Sequence, residues 1–237
     1  MPKNSEKKLY PVVERWLKRH LLCFKTDTNT GLRQYSLADV VGIRDIGGDL
    51  SGDVETVIVE VKRGLDPFAR ASGQTLSYNV YANRVYLADI REKTFTPDEL
   101  QIASHLGIGL IQIRNGRCAE VLSSPFYHPI NRMNLLLLER LSLGRCQLCD
   151  CFFETGSPEK GYSKLVREDV LKAIQNGKGL VFWKEELAER KNRKGIRPTE
   201  DGTVFDRRFI CPSCVETLLA IQEKRFKGWV RDIKGGD

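Results

Sequence analysis

Glu60-Val61-Lys62 closes an apolar run that begins at Val54. Residues two apart on a strand share one face, so a carboxylate and an ammonium are presented side by side. Asp39 lies in a second strand-like segment, Ser36 to Ile43. Two carboxylates and a lysine converging on one sheet edge are the equipment for metal-assisted phosphodiester hydrolysis. Asp39, Glu60 and the Val61 carbonyl offer hard oxygen ligands suited to Mg²⁺ or Mn²⁺. Lys62 is placed to help activate a water and to stabilise charge on a phosphate. The bland alternative is a surface ion pair, Glu60 with Lys62, worth roughly 0–1 kcal/mol.

Those residues need a sheet and helices to hold them. Leu9, Val12, Val13, Trp16, Leu17 and Leu21 recur at helical spacing, which predicts a helix from Ser5 to about Leu22. Pro11 either kinks it or marks its true start. Segments 33–44 and 54–62 read as strands joined by a Gly-rich loop over 44–53. Asp66-Pro67 reads as a cap and first turn for a helix to about Ala82. A strand at 84–88 follows. Thr96-Pro97-Asp98-Glu99 is a capping box for a helix stopping at Gly107. A strand at 108–113 then meets the hairpin turn Asn115-Gly116 and a last strand, 118–122. Strand–helix–strand–helix–strand over 54–113 implies parallel pairing by right-handed crossovers. With the antiparallel hairpin before it, the expected fold class is α/β, a mixed sheet flanked by helices.

Helix with Glu14, strand with Asp39, strand with Glu60 and Lys62, helix with Gln74 and Tyr78: this order resembles the PD-(D/E)xK nuclease superfamily over roughly residues 5–122. The resemblance implies a restriction-endonuclease-like fold. It makes Asp39 the first acid of the motif, Glu60 the second and Lys62 the lysine. Glu14 matches the acid that some branches carry on the first helix. Gln74 and Tyr78 match the Gln-x-x-x-Tyr of the resolvase and recombination-helicase branches. Ala38 stands before Asp39 where many members have proline. The resemblance, rather than any residue, favours DNA over RNA as the polymer.

Cys146-x-x-Cys149 and Cys211-x-x-Cys214 form two pairs at zinc-ligand spacing. The first follows Gly144-Arg145, as in a zinc knuckle. The second precedes an amphipathic stretch, so its thiolates sit at a helix start. Knuckle plus helix-start pair is similar to a treble-clef finger, here with a long insertion between Cys149 and Cys211. Four sulfurs leave no open position, so the Zn²⁺ is expected to be structural. Cys151 competes for the place of Cys149, and Cys23 and Cys118 suit small core positions. The insertion carries a basic run, Arg190, Lys191, Arg193, Lys194 and Arg197, a candidate phosphate contact. His20, His105 and His128 stand isolated.

The expected organisation is a nuclease-like domain over 1–125, a bridging helix within 126–145, and a mainly helical zinc domain over 146–237. A formal charge of +7 suits a polyanionic partner, nucleic acid. The first twenty residues lack a secretory pattern. The leucine run 135–138 falls far short of the roughly 20 residues of a membrane span. A cytoplasmic, soluble chain is expected, one free to pair with a second copy of itself. The rival is a non-catalytic module that keeps the fold and docks on nucleic acid or protein.

Overall fold

The computed structural model describes residues 6–32, 36–47, 53–64, 66–146, 148–154, 180–183, 207–211, 213, 214, 217 and 220. The chain divides into two compact units, Met1–Leu141 and Ser142–Asp237.

The first unit is an α/β layer structure. Its sheet has six strands in the order β1 (Lys25–Leu32), β2 (Ser36–Asp45), β3 (Val54–Lys62), β4 (Arg84–Ile90), β5 (Gly109–Arg114) and β6 (Arg117–Leu122). The β3–β4 and β4–β5 pairs are parallel and the other three antiparallel. Both parallel steps cross over through a helix, as the alternation over 54–113 predicts. The central strands are buried on both faces, which explains their unbroken Val, Ile and Leu runs.

Helix α1 (Tyr10–His20) covers one face. Its Tyr10, Val13, Trp16 and Leu17 pack on Val40, Val57, Val59, Val61, Tyr86, Ile111 and Ile113. Pro11 lies in the first turn, so it marks the start of the helix rather than a kink. Helices α2 (Phe68–Ser77) and α3 (Pro97–Leu106) follow β3 and β4 and pack on β3 to β5. Because side chains alternate along β3, Glu60 and Lys62 point away from α1 and toward α2.

The capping box at Thr96 and Glu99 is present, and Gly107 closes α3 at φ +72°. Asn115 and Gly116 both have positive φ, the signature of a type I′ hairpin turn. Asp66 does not cap α2; Pro67 occupies that position without a side-chain hydrogen bond. Helix α4 (Asn131–Arg140) belongs to the first unit. Asn134 Nδ2 donates to Thr56 Oγ1 and to the Tyr81 carbonyl, both at 2.8 Å.

Strand β1 is absent from the sequence-based expectation. Its run, Lys-Thr-Asp-Thr-Asn-Thr-Gly-Leu, offers no apolar alternation because it is an edge strand. The β-branched Thr26, Thr28 and Thr30 at period two were the available signal.

In the second unit the described residues form two small antiparallel pairs, β7 (Leu143–Arg145) with β8 (Phe152–Glu154) and β9 (Leu180–Trp183) with β10 (Arg207–Ile210). This corrects the mainly helical expectation for those residues: Trp183 ends a strand instead of opening a helix. Ser213, Cys214, Thr217 and Ala220 are helical. The helices expected over 163–175 and beyond 183, Ser5, and the basic run Arg190 to Arg197 lie outside the described residues. Among the described residues, no helix is long and apolar enough to cross a membrane.

Candidate active site and four-cysteine cluster

Strands β2 and β3 stay in register up to Val40 opposite Val59, which sets Asp39 across from Glu60. There the backbone of β3 turns to a side chain: Val61 N–H donates to Asp39 Oδ2 at 2.8 Å. In extended chain the N–H and C=O of one residue face the same neighbour, so the Val61 carbonyl faces Asp39 as well. Tyr10, at the first turn of α1, donates its hydroxyl to Asp39 Oδ1 at 2.6 Å.

Glu60 is only 2% exposed. Lys62 Nζ donates to Glu60 Oε1 at 2.5 Å and to Gln74 Oε1 at 3.4 Å. Gln74 Nε2 donates to Tyr78 Oη at 3.3 Å, and that hydroxyl donates to Glu60 Oε2 at 2.9 Å. The four side chains form a closed circuit. Gln74 on α2 and Tyr78, which opens the 3-10 turn Tyr78–Val80 directly after it, can meet Glu60 and Lys62 because they lie one turn apart.

The electrostatics are those of a crowded anionic corner. Burial, followed by the Asp39 charge, pushes the Glu60 carboxyl up to about 7, against the pull of Lys62 and Tyr78. Burial works against the Lys62 ammonium. The hydrogen bond to Glu60, with the charges of Glu60, Asp39 and Glu6, outweighs it and raises Lys62 above its ordinary value. Lys62 is therefore a fixed cation at neutral pH and not a proton acceptor. Burial and the bond to Asp39 also push the Tyr10 phenol up.

Of the residues singled out in the sequence, Asp39, Glu60, Val61, Lys62, Gln74 and Tyr78 come together. Glu14 does not join them. Its Oε1 accepts from Thr26 Oγ1 at 2.8 Å, one helical turn beyond Tyr10 and over strand β1. The acid that does share the site's field is Glu6. Burial raises its carboxyl, Lys62 pulls it down, and Asp39 and Asp66 push it further up. Because Pro11 starts the helix late, Glu6 sits in the turn before α1, on the side of Tyr10.

The second unit holds a different cluster. The Sγ atoms of Cys146, Cys149, Cys211 and Cys214 all lie within 4.8 Å of one another, and those of Cys149 and Cys211 are 3.7 Å apart. A tetrahedral zinc with Zn–S near 2.3 Å has S···S edges of roughly 3.8 Å, so the cluster could hold a metal such as zinc. The Cys146 and Cys149 pair is carried by the β7–β8 hairpin, where Leu148 N–H donates to Cys146 Sγ at 3.4 Å. Cys211 N–H donates to the same sulfur at 3.3 Å. The hydrogen bond with Cys151, 3.0 Å away, draws the Cys149 thiol down to about 6. Cys23 is buried in the α1 core and Cys118 packs at its margin, as small core residues should.

No family model matches this chain, and no curated protein matches it. Among solved structures, the chain is similar to SPO1766, a protein of unknown function from Silicibacter pomeroyi. Identity is 18%, over 60% of this chain and 84% of that one, with a TM-score of 0.43.

Proposed function

We propose that this chain is a divalent-metal-dependent nuclease of the PD-(D/E)xK type, acting on DNA, with a treble-clef-like zinc module in its second unit. The observation that carries the proposal is the convergence of Asp39, Glu60 and Lys62 where β2 and β3 part, braced by Gln74 and Tyr78.

The donor set fits a hard dication. Asp39, Glu60 and the Val61 carbonyl are all oxygen, and Mg²⁺ favours such ligands with water filling its shell. Burial, and after it the charge of Asp39, raise the Glu60 carboxyl, and a positive ion held by the two acids would offset both costs. When bound, the ion supplies Lewis-acid stabilisation of phosphate charge and a more acidic water. The remaining roles fall to the chain. Lys62, a fixed cation, faces the developing negative charge of the phosphate. Tyr78 and Gln74 are positioning residues: one locks the Glu60 carboxylate, the other steers the Lys62 ammonium. Tyr10 and the Val61 N–H orient Asp39, each on a different oxygen.

In the second unit, a knuckle hairpin, the end of strand β10 and a helical turn at Cys214 present the four cysteines, the arrangement that motivates the treble-clef comparison. The proposed role of the zinc there is structural, with the basic run Arg190 to Arg197 as its nucleic-acid contact.

Cleavage of mixed nucleic acids by the purified chain with Mg²⁺ tests the proposal. Asp39→Ala, Glu60→Ala and Lys62→Ala should each lower the rate on the order of 10³-fold with the fold intact. Glu6→Gln should be the more harmful of the two helix-proximal changes, and Glu14→Gln close to parental. Parental cleavage by all three alanine variants would sink the assignment. No cleavage by the parent, with nucleic-acid binding retained, would favour a non-catalytic binding module.

A further inference from the structure

A groove of about 520 Å³ runs between α1 and β6, on the opposite face of the sheet from α2. Arg15 and Arg19 reach it from the helix and Arg117 from the strand; Trp16, His20 and Glu120 also line it. All three arginines are exposed. Among the described residues none of them has a carboxylate partner.

Two separate like-charge placements meet here. Arg15 and Arg19 are spaced i, i+4 on one helix, where like charges destabilise. Arg117 stands directly across the β5–β6 hairpin from Arg114, and like charges opposite each other on a sheet also destabilise. Arg19 gains from lying in the last turn of α1, but the i, i+4 and cross-strand repulsions remain as costs, and a bound anion would relieve both.

The groove's single acid is already engaged. Glu120 Oε1 accepts from Tyr86 Oη at 2.9 Å and from Ser123 Oγ at 2.8 Å, and Oε2 pairs with His20 Nε2 at 3.2 Å. That last contact fixes the His20 ring, which stacks on Trp16 with centroids 5.0 Å apart and keeps 53% of its side chain exposed. Guanidinium groups beside an exposed ring suit phosphates carrying bases.

We propose that this groove binds the phosphate backbone of a nucleic-acid strand through Arg15, Arg19 and Arg117. The assignment of the polymer rests on the nuclease reading. At 1.5 Å per residue, Arg15 and Arg19 lie roughly 7.5 and 13.5 Å along α1 from Tyr10.

The test is an anisotropy titration of labelled single-stranded and duplex oligonucleotides with the full chain in EDTA, at several salt concentrations. The Arg15→Gln, Arg19→Gln, Arg117→Gln triple variant should bind more weakly. Its slope of log affinity against log salt should be shallower by roughly 2 to 3, at about 0.7 to 0.9 per lost contact. The matching triple lysine variant should keep the slope. Circular dichroism checks that each variant folds. An unchanged slope in that variant, or a parent that binds no oligonucleotide, overturns the inference. So does polyglutamate that binds the parent as tightly as DNA and is lost equally in the variant. A parent that binds through the groove yet never cleaves upholds the groove and removes the nuclease reading.

Discussion

Glu60 carries a titration that the folded chain has moved, and the sign of its effect on stability follows. Its carboxyl is raised from 4.5 to about 7 by burial and by Asp39, so the folded state holds this proton more tightly than the unfolded state does. Its stabilising contribution is full below pH 4.5 and is lost as pH rises through 7. The shift is worth about 3 kcal/mol at most. Glu60→Gln removes the titration. In EDTA, the parent should lose roughly 2–3 kcal/mol relative to Glu60→Gln between pH 4 and pH 8, read from urea midpoints. Mg²⁺ at pH 8 should restore part of the loss to the parent and none to the variant. A flat difference between the two proteins would mean that Glu60 ionises freely. At this scale the sequence revealed residue types but not neighbours. Glu-x-Lys on a strand fixed the shared face of Glu60 and Lys62. That Glu6, rather than Glu14, shares the field of Asp39 and Lys62 depended on where α1 begins, and only Pro11 hinted at that.

At the scale of elements, legibility followed chemistry that is local. The capping box of α3, its closing glycine and the Asn-Gly hairpin all rest on contacts within a few residues, and each is present where the sequence placed it. Thr96→Ala should therefore cost about 1 kcal/mol, measured by urea unfolding, because the N–H of Glu99 loses its acceptor. A change within 0.3 kcal/mol would mean the box contributes nothing in this context. The alternation of strands and helices over 54–113 was legible because buried parallel strands read as apolar runs. Strand β1 was hidden because a polar edge strand owes its form to its partner, here β2, and not to its own pattern. The short strands β7 to β10 were hidden for a similar reason. Three or four residues cannot express a period, and the β7–β8 hairpin is organised around the first cysteine pair.

For the whole molecule, two units with different sources of stability should respond to different insults. The first has a layered apolar core; the second brings four thiols together. Metal analysis should find about one zinc per chain. Cys146→Ser should abolish it, and limited proteolysis should then trim that variant back toward residue 141 while the parent resists, since structural zinc binding is coupled to folding. Equal protease resistance in a zinc-free variant would remove the metal from the account. The same six-stranded sheet also has a rim. Among the described residues β1 pairs only with β2, so its outer row of peptide groups is a template on which another chain could polymerise. The strand answers with Lys25, Asp27 and Asn29, the last at φ +55° and skipped by the ladder between Thr28 and Thr30. A charged, buckled rim cannot zip to its own copy. The polarity that concealed β1 in the sequence thus also blunts this rim against edge-to-edge pairing.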